Sequence, residues 1–298
     1  MHSRQNVHSC EQMYASPSST RLVPQRSQDF RISRATGAIV EAWPTGVAVS
    51  TMRDELARAY AFMARGDMGG NRTVDSPYGR AVYTDEVPKR SDCNYLWVER
   101  EAKPEELVAE AQRLERRLIF VPEPELGAKL APWFAEHGWR TDRHVVMAQL
   151  REPERVAELS LVSELDEEAL RPARRRLLED QPWATPEVVE QLFQAKGLIG
   201  ERVTTRFFGV ELDGEVVSYT DLYVNGADAQ IEDVGTLPEH RSSGYATAVV
   251  LAAIEAARAS GADFVFLVAD AEDWPKELYR RLGFDELGHY TKFFMPPA

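Results

Sequence analysis

Alternating or continuous apolar residues predict strands in this chain, and apolar positions three and four residues apart predict helices. In the first half these patterns predict helices over 52–64, 103–115 and 125–137, and strands over 80–84, 94–99, 117–121 and 144–150. From residue 94 onward the order is strand, helix, strand, helix, strand. We therefore predict an α/β (α+β) fold in which helices flank a sheet.

A second set of elements follows residues 151–156, a charged stretch broken by Pro153 that is typical of a linker. Asp213-Gly214 between two apolar stretches is the strongest two-residue hairpin signal. The pattern predicts strands over 159–162, 206–212, 215–224, 264–268 and 290–295, helices over 166–179, 185–197 and 274–282, and a strand, loop and helix over 231–253. The sheets are expected to be mixed and mainly antiparallel.

The same patterns divide the chain into three parts. Residues 1–51 are rich in Ser, Arg and Gln and show no sustained periodicity, so they are predicted to form a weakly structured arm. Residues 52–150 and 157–298 are predicted to form two α/β domains.

The two domains end alike. Leu130 to Trp139 and Lys276 to Phe284 match in order and spacing, which indicates a duplication. The match sets Phe134 opposite Tyr279. If the domains are duplicates, the first has lost the tyrosine hydroxyl.

The segment after residue 236 has the composition of an anion-binding turn. Residues 241–246 read Arg-Ser-Ser-Gly-Tyr-Ala, so small residues stand where backbone must approach a ligand, and Arg241 adds a positive charge. The next helix directs its N–H groups and positive dipole end toward the same place. An ordinary strand-to-helix turn has similar residues, so the motif alone leaves both interpretations open. The first half has no Arg-x-x-Gly loop after its strand at 94–99.

Composition excludes several classes of function. With 35 basic and 48 acidic residues, the net charge is −13, which argues against a broad grip on nucleic acid or anionic membranes and favours a cationic partner. Cys10 and Cys93 stand far apart, which predicts neither a metal site nor a disulfide. No apolar run reaches the roughly 20 residues that span a bilayer, and the N-terminus has no secretory pattern. We therefore expect a soluble, cytoplasmic protein.

Two motifs together resemble the GCN5-related N-acetyltransferase (GNAT) family. The first, at 234–246, reads Val-Gly-Thr-Leu-Pro-Glu-His-Arg-Ser-Ser-Gly-Tyr-Ala and precedes a helix; the second, at 278–284, reads Leu-Tyr-Arg-Arg-Leu-Gly-Phe. The resemblance covers residues 159–295. The whole chain resembles tandem members, in which a degenerate N-terminal copy precedes an active C-terminal one, and this implies tandem GNAT-like domains.

The resemblance implies acetyl-CoA as the acyl donor, bound in a splay between the strand at 231–236 and the strand at 264–268. Backbone at Val234 and Thr236 is expected to pair with the pantetheine arm, and loop amides with the pyrophosphate. The cofactor-binding residues so implied are Val234, Gly235, Thr236, Arg241, Ser242, Ser243, Gly244, Tyr245, Ala246 and Thr247.

The resemblance also implies the catalytic groups. Tyr279 corresponds to the family's general-acid tyrosine, which returns a proton to the leaving thiolate. Asp233 is favoured over Glu232 as the base, because neighbours on a strand point to opposite faces and only one can face the acceptor. Three positions depart from the family's pattern: Ser242 and Ala246 replace glycines, and Glu272 replaces an asparagine that contacts the cofactor.

We therefore expect an N-acetyltransferase that moves an acetyl group directly from acetyl-CoA to a primary amine of a small molecule, a cationic one by the charge argument, or of a peptide. The alternative is a non-catalytic acyl-CoA-binding or scaffold protein. The presence of Tyr279 and of a strand carboxylate argues against this alternative. A homodimer stays open. The basic run on the helix at 166–179 is interpreted as a solvated face, with contact to the 3′-phosphate of CoA or to an acidic partner as alternatives; it comprises Arg171, Arg174, Arg175 and Arg176.

Overall fold

The computed structural model describes residues 52–179, 181 and 183–295. The predicted arm at 1–51 lies outside the described residues. The strands are β1 (Arg72–Ser76), β2 (Gly79–Tyr83), β3 (Tyr95–Val98), β4 (Leu118–Val121), β5 (Arg140–Gln149), β6 (Val162–Leu165), β7 (Thr204–Leu212), β8 (Glu215–Asn225), β9 (Asp228–Thr236), β10 (Phe264–Asp270) and β11 (Phe284–Phe294). The helices are α1 (Met52–Arg65), α2 (Pro104–Arg113), α3 (Pro124–Glu136), α4 (Glu167–Glu179), α5 (Pro186–Gly200), α6 (Tyr245–Ala259) and α7 (Pro275–Arg281).

All of these strands belong to one sheet, in the order β1-β2-β3-β4-β11-β5-β10-β9-β8-β7-β6. Two neighbouring pairs, β3 with β4 and β9 with β10, are parallel, and the other neighbours are antiparallel. The mixed, mainly antiparallel sheet flanked by helices confirms the predicted fold class. Whether 52–150 and 157–298 are separate domains stays a prediction.

The two halves of the chain exchange their last strands. The last strand of the second half, β11, lies between β4 and β5, while the last strand of the first half, β5, lies between β11 and β10. The longest ladder of the exchange joins β5 to β11, from Phe284 opposite Gln149 to Phe294 opposite Arg140. Each half therefore completes its sheet with a strand from the other.

A buried ion pair crosses between the halves. Lys292 on β11 donates from Nζ to Oδ1 of Asp92, at 2.6 Å, in the segment that leads into β3. The side chains are only 2% and 0% exposed. The pair buries one charge from each half side by side, and this fixes β11 against the first half.

The linker between the halves passes close to the start of β11. The N–H groups of Leu150 and Arg151 both donate to the carbonyl oxygen of Gly283, each at 3.0 Å. Gly283 has a φ of +89°, and a Cβ there would lie 2.0 Å from the Arg151 carbonyl oxygen. Gly138, its counterpart after α3, has a φ of +77° but no described atom within 4 Å of such a Cβ. Gly283 is thus required for both its conformation and its close packing.

Helices cover the two faces of the sheet near β9 and β10. Phe62 of α1 and Ile199 of α5 pack on one face with Tyr223 and Phe266. On the opposite face α6 and α7 pack against alternate residues of the same strands, among them Leu222, Ile231 and Leu267. The two-residue period of a strand accounts for this division. No helix in the described part of the chain is long and apolar enough to cross a membrane.

Several boundaries differ from the sequence prediction. Residues 159–161 form a single 3₁₀ turn, and the strand begins at Val162; β1 was not predicted at all. Helix α5 continues through Gly197 to Gly200. β5 and β11 begin four and six residues earlier than predicted, because the antiparallel ladder pairs the polar start of each strand with the later part of the other, as in Asp142 opposite Lys292 and Glu286 opposite Met147. Tertiary pairing extends a strand beyond its apolar pattern.

Candidate active site

The parallel strands β9 and β10 separate halfway along their length. Their recorded pairs end at Ile231 opposite Leu267, whereas β9 continues to Thr236. Beyond Leu267, β10 remains paired with β5, as in Val268 opposite Val146. Among the described strands, none pairs with β9 on this side past Ile231, so a wedge opens between β9 and β10. We call this opening the splay.

Backbone groups of β9 are directed into the splay. The Leu237 N–H donates to the Val217 carbonyl oxygen, at 2.9 Å, on the β8 side. Successive residues of a strand turn their N–H and C=O groups to opposite sides. Thr236 and Val234 therefore turn theirs toward the splay, as expected for the residues that should pair with a pantetheine arm.

The predicted anion loop joins β9 to α6. Ser242 and Gly244 both adopt left-handed backbone, with φ of +64° and +85°. Gly244 is the N-cap of the 15-residue helix α6, and no described atom lies within 4 Å of a Cβ placed on it. Arg241 is fixed beside the loop by its Nε, which donates to the Thr236 carbonyl oxygen at 3.2 Å. The loop is exposed and leaves room at the helix N-terminus.

These features fit a diphosphate. Left-handed residues on either side of an ordinary one, followed by a helix start, direct backbone N–H groups toward the place where an anion also meets the positive end of the helix dipole. Of the other predicted loop residues, Ser243 is exposed, Tyr245 and Ala246 are half-buried and Thr247 is buried. Gly235 lies in β9, where a Cβ would clash with the Tyr219 ring at 2.4 Å. The structure thus places all ten predicted cofactor residues along the splay and its loop.

A bulge in β9 changes the predicted orientation of the two strand carboxylates. The register with β8 shifts between Asp221, opposite Glu232, and Tyr219, opposite Gly235. Asp233 lies in this bulge with a φ of +52°. The expectation that Glu232 and Asp233 point to opposite faces is wrong, because a bulge interrupts the alternation. Glu232 shares a face with its cross-strand partner Asp221, and Asp233 shares ion-pair partners with Asp221.

Asp233 is held in a buried ionic network. Its Oδ2 accepts from Arg174 Nε at 2.6 Å and from Lys196 Nζ at 3.1 Å. Arg174 and Lys196 also bind Asp221, and the Lys196 Nζ donates to Asp221 Oδ2 at 2.9 Å. Burial would by itself raise the pKa of Asp233, but Lys196 and then Arg174 lower it below its usual value. An acid held this firmly in its charged form is a poor acceptor for a proton.

Glu232 lies nearer to the predicted general acid. Its Oε1 accepts from Gln230 Nε2 at 2.7 Å, and its Oε2 accepts from the Asp233 N–H at 3.2 Å. Burial is the largest cause that raises the pKa of the Tyr279 phenol, and the negative charge of Glu232 is the next largest. Glu232 on β9 and Tyr279 on α7 are therefore close enough for the charge of the carboxylate to act on the phenol.

Tyr279 is buried on α7 and stays protonated. The side chain is 2% exposed and meets Phe284 edge-on, with ring centroids 6.2 Å apart. Burial first, then Glu232 and Asp273, raise the pKa of the hydroxyl far above its usual range. The phenol is therefore protonated near neutrality, which is the form that a general acid needs, although the raised pKa also makes it a weaker acid.

Sequence reasoning missed most of the polar network. Arg174, assigned to a solvated basic run, is completely buried, whereas Arg171 and Arg175 are 37% and 41% exposed. A signal was present, because Arg174 is spaced to lie on the face of Leu170, Leu177 and Leu178. No comparable signal in the sequence distinguishes the other missed residues, which are Lys196, Asp221 and Gln230.

Comparisons with known proteins agree with this site. The model of the Acetyltransferase (GNAT) family matches residues 164–284, which contain the splay, the loop and Tyr279. A search of curated protein sequences found no match.

Solved structures share the fold over more than the matched region. A GCN5-related N-acetyltransferase from Kribbella flavida is 17% identical, with a TM-score of 0.53 over 81% of this chain and 95% of that one. A functionally unknown conserved protein from Staphylococcus epidermidis is 11% identical, with a TM-score of 0.59 over 78% and 96%. A tandem GNAT protein from the clavulanic acid biosynthesis pathway is 15% identical, with a TM-score of 0.47 over 81% and 89%. The first two structures each align with more residues of this chain than its second half contains, so the shared fold includes part of the first half.

Proposed function

We propose, from the premise that residues 164–284 form a GNAT acetyltransferase domain, that the protein transfers an acetyl group from acetyl-CoA directly to a primary amine. The acceptor is a small molecule or a peptide, with cationic compounds favoured by the net charge of −13. Acetyl-CoA would supply a thioester whose carbonyl carbon accepts the amine and whose thiolate leaves.

The observation that carries this proposal is the splay that ends at an anion loop. Backbone of Val234 and Thr236 is directed into the opening between β9 and β10. The left-handed backbone at Ser242 and Gly244 leads into the N-terminus of α6 at the end of β9. A long ligand with an amide arm and a diphosphate would find hydrogen-bond partners for both parts in this arrangement.

We assign the proton acceptor to Glu232 and the proton donor to Tyr279. An ammonium group must lose a proton before it can attack, and Glu232 is a buried carboxylate on β9 that accepts hydrogen bonds from the Gln230 side chain and from the Asp233 N–H. Asp233 is less suited to this step, because Arg174 and Lys196 stabilise its charged form. Tyr279 is buried and protonated near neutrality, and its phenol feels the charge of Glu232, so we assign it the proton that the departing thiolate receives.

Two measurements test the proposal. Isothermal titration calorimetry of the full chain with acetyl-CoA should show binding, and a panel of primary amines should include one that causes release of CoA thiol. Diamines and polyamines should lead the panel if the charge argument holds. Lack of acetyl-CoA binding would refute the proposal. Binding without CoA release for any amine would instead support the non-catalytic alternative.

The base assignment has its own test. Glu232→Gln keeps the size and the hydrogen-bonding shape of the side chain but removes the proton acceptor, so it should lower kcat by about 10²–10⁴-fold. Calorimetry should show nearly unchanged acetyl-CoA affinity. Full turnover in this variant would exclude Glu232 as the base.

A further inference from the structure

We propose that Asp233 is a positioning residue whose carboxylate, clamped by Arg174 and Lys196, holds the β9 bulge in the conformation that directs the Val234 N–H into the splay. The inference rests on the proposed acyl transfer and goes beyond it, since it assigns roles to three residues outside the cofactor loop.

The backbone of Asp233 needs such support. Its φ of +52° lies in the left-handed region, which disfavours any residue with a Cβ, although Asp and Asn tolerate it best. Residues persist in this region when surrounding contacts determine their conformation, and such residues concentrate at functional sites. Glycine would adopt the same φ without support, so the choice of Asp calls for a function of its side chain.

The clamp supplies the contacts from two helices. Arg174 extends from α4 and Lys196 from α5, and both bind Oδ2 of Asp233, at 2.6 and 3.1 Å. The same cations bind Asp221 on the neighbouring strand β8, and the Tyr223 hydroxyl donates to Asp221 Oδ2 at 3.0 Å. Two cations and two carboxylates thus compensate one another in a site where no member is more than 10% exposed. Desolvated charges of this kind fix geometry, because a displaced member would leave another unpaired.

The position of the clamp connects it to the chemistry. Asp233 lies between Glu232, the assigned base, and Val234, whose backbone is directed into the splay. The Asp233 N–H also donates to Glu232 Oε2, so the bulge orients the base. In the proposed reaction the thioester carbonyl would lie at the end of the pantetheine arm in this part of the splay, where a fixed N–H donor would stabilise the charge that develops on its oxygen. Loss of the clamp would therefore displace both the Val234 N–H and the Glu232 carboxylate.

The decisive experiment compares Asp233→Gly with Asp233→Ala. Both remove the carboxylate, but only glycine adopts φ near +52° without support. We expect kcat of the glycine variant to exceed that of the alanine variant by about tenfold or more, with acetyl-CoA affinity similar in both. Equal loss in both, to the level of Glu232→Gln, would overturn the proposal and make Asp233 itself the base. Equal and full activity would overturn it as well.

A second pair of variants tests the clamp if the Asp233 variants fail to fold. Lys196→Met removes one arm of the clamp, and Lys196→Arg keeps its charge. We expect the Met variant to lower kcat with an unchanged KM for acetyl-CoA, and the Arg variant to recover most of the loss. A Met variant with unaltered kcat would contradict the clamp.

Melting temperature separates this inference from the proposed function. If the unmodified chain neither binds acetyl-CoA nor releases CoA, the function fails. The clamp still predicts that the glycine variant melts above the alanine variant, because alanine retains the strain of a positive φ. The reverse order would refute the clamp whatever the activity.

Discussion

The two halves of the sheet repeat one succession of elements. In the first half β3 and β4 run parallel and are followed by α3 and β5; in the second half β9 and β10 run parallel and are followed by α7 and β11. Yet β3 ends at Val98, one residue past its last pair with β4, whereas β9 continues five residues past Ile231. Those five residues carry the bulge, Glu232 and the backbone of the splay.

The helices of the two halves also differ, and again only the second half has the features of a site. α2 begins after Lys103 with ordinary extended backbone, at φ −75°, whereas α6 begins after the left-handed Gly244. Phe134 of α3 stacks on Phe293 with ring centroids 4.1 Å apart, whereas Tyr279, in the matching place on α7, carries a hydroxyl whose pKa burial and then the charge of Glu232 raise. The shared elements therefore build the sheet, and the chemistry depends on a few added residues at the end of one strand. That the first half is a degenerate copy stays a hypothesis.

The largest effect should come from separating the halves at their buried ion pair. Lys292→Met would leave the Asp92 carboxylate buried without its cation and should lower the free energy of unfolding by about 3–5 kcal/mol. Urea denaturation measures this. The control is Lys129→Met, whose exposed pair with Glu101 should contribute only about 0–1 kcal/mol. Similar losses in both variants would show that the exchanged strand does not depend on this pair.

The next effect contrasts two exposed glycines with positive φ, one in each half. Gly244→Glu places bulk and negative charge at the anion loop and should weaken acetyl-CoA binding about 100-fold or more, roughly 2.7 kcal/mol. Gly138→Glu introduces the same backbone strain after α3 and should leave binding unchanged. Calorimetry on both variants provides the comparison. Equal weakening would place the cause in stability and not in the loop.

A smaller effect tests the aromatic pair. Tyr279→Phe should lower kcat about 10–100-fold with little change in acetyl-CoA affinity, because it removes only the proton donor. The reciprocal Phe134→Tyr should give no gain in activity and should destabilise the protein by about 1–3 kcal/mol, since its hydroxyl would enter the stack with Phe293. Steady-state kinetics and thermal unfolding measure these outcomes. Unchanged turnover in Tyr279→Phe would remove the acid assignment.

The smallest effect concerns the departure at Ser242. Because its φ is +64°, Ser242→Gly should relieve strain and stabilise the protein by about 0.5–1 kcal/mol. Ser243, absent from the residues with positive φ, is the matched control, and Ser243→Gly should destabilise slightly. A calorimetric scan that found the same sign for both would contradict the conformational explanation.

Local features of the fold were predictable because their causes are local. The Asp213-Gly214 turn has φ of +52° and +82°, as an Asp-Gly hairpin predicts. Thr185 Oγ1 accepts the Val188 N–H at 3.3 Å at the start of α5, as its position before Pro186 predicts. The anion loop belongs to the same class, since its small residues and the following helix are contiguous in the chain.

The strand exchange was not predictable from the same patterns. β5 and β11 both follow a helix and a glycine with positive φ, and both have apolar residues suited to a central position. Nothing in their alternation says which half each one joins. The choice depends on the linker, which Gly283 allows to pass within hydrogen-bonding distance, and on the pair of Lys292 with Asp92.

By itself, the sequence determined the order of the elements, the turns and caps, the loop at 241–246 and the presence of Glu232, Asp233 and Tyr279 at the spacing of a family. These follow from interactions between residues a few positions apart. Only the tertiary structure decided that both carboxylates share a face, that Arg174 and Lys196 bind Asp233 and that the halves exchange strands. A bulge and a buried charge depend on which distant segments meet, and a short stretch of sequence does not carry that information.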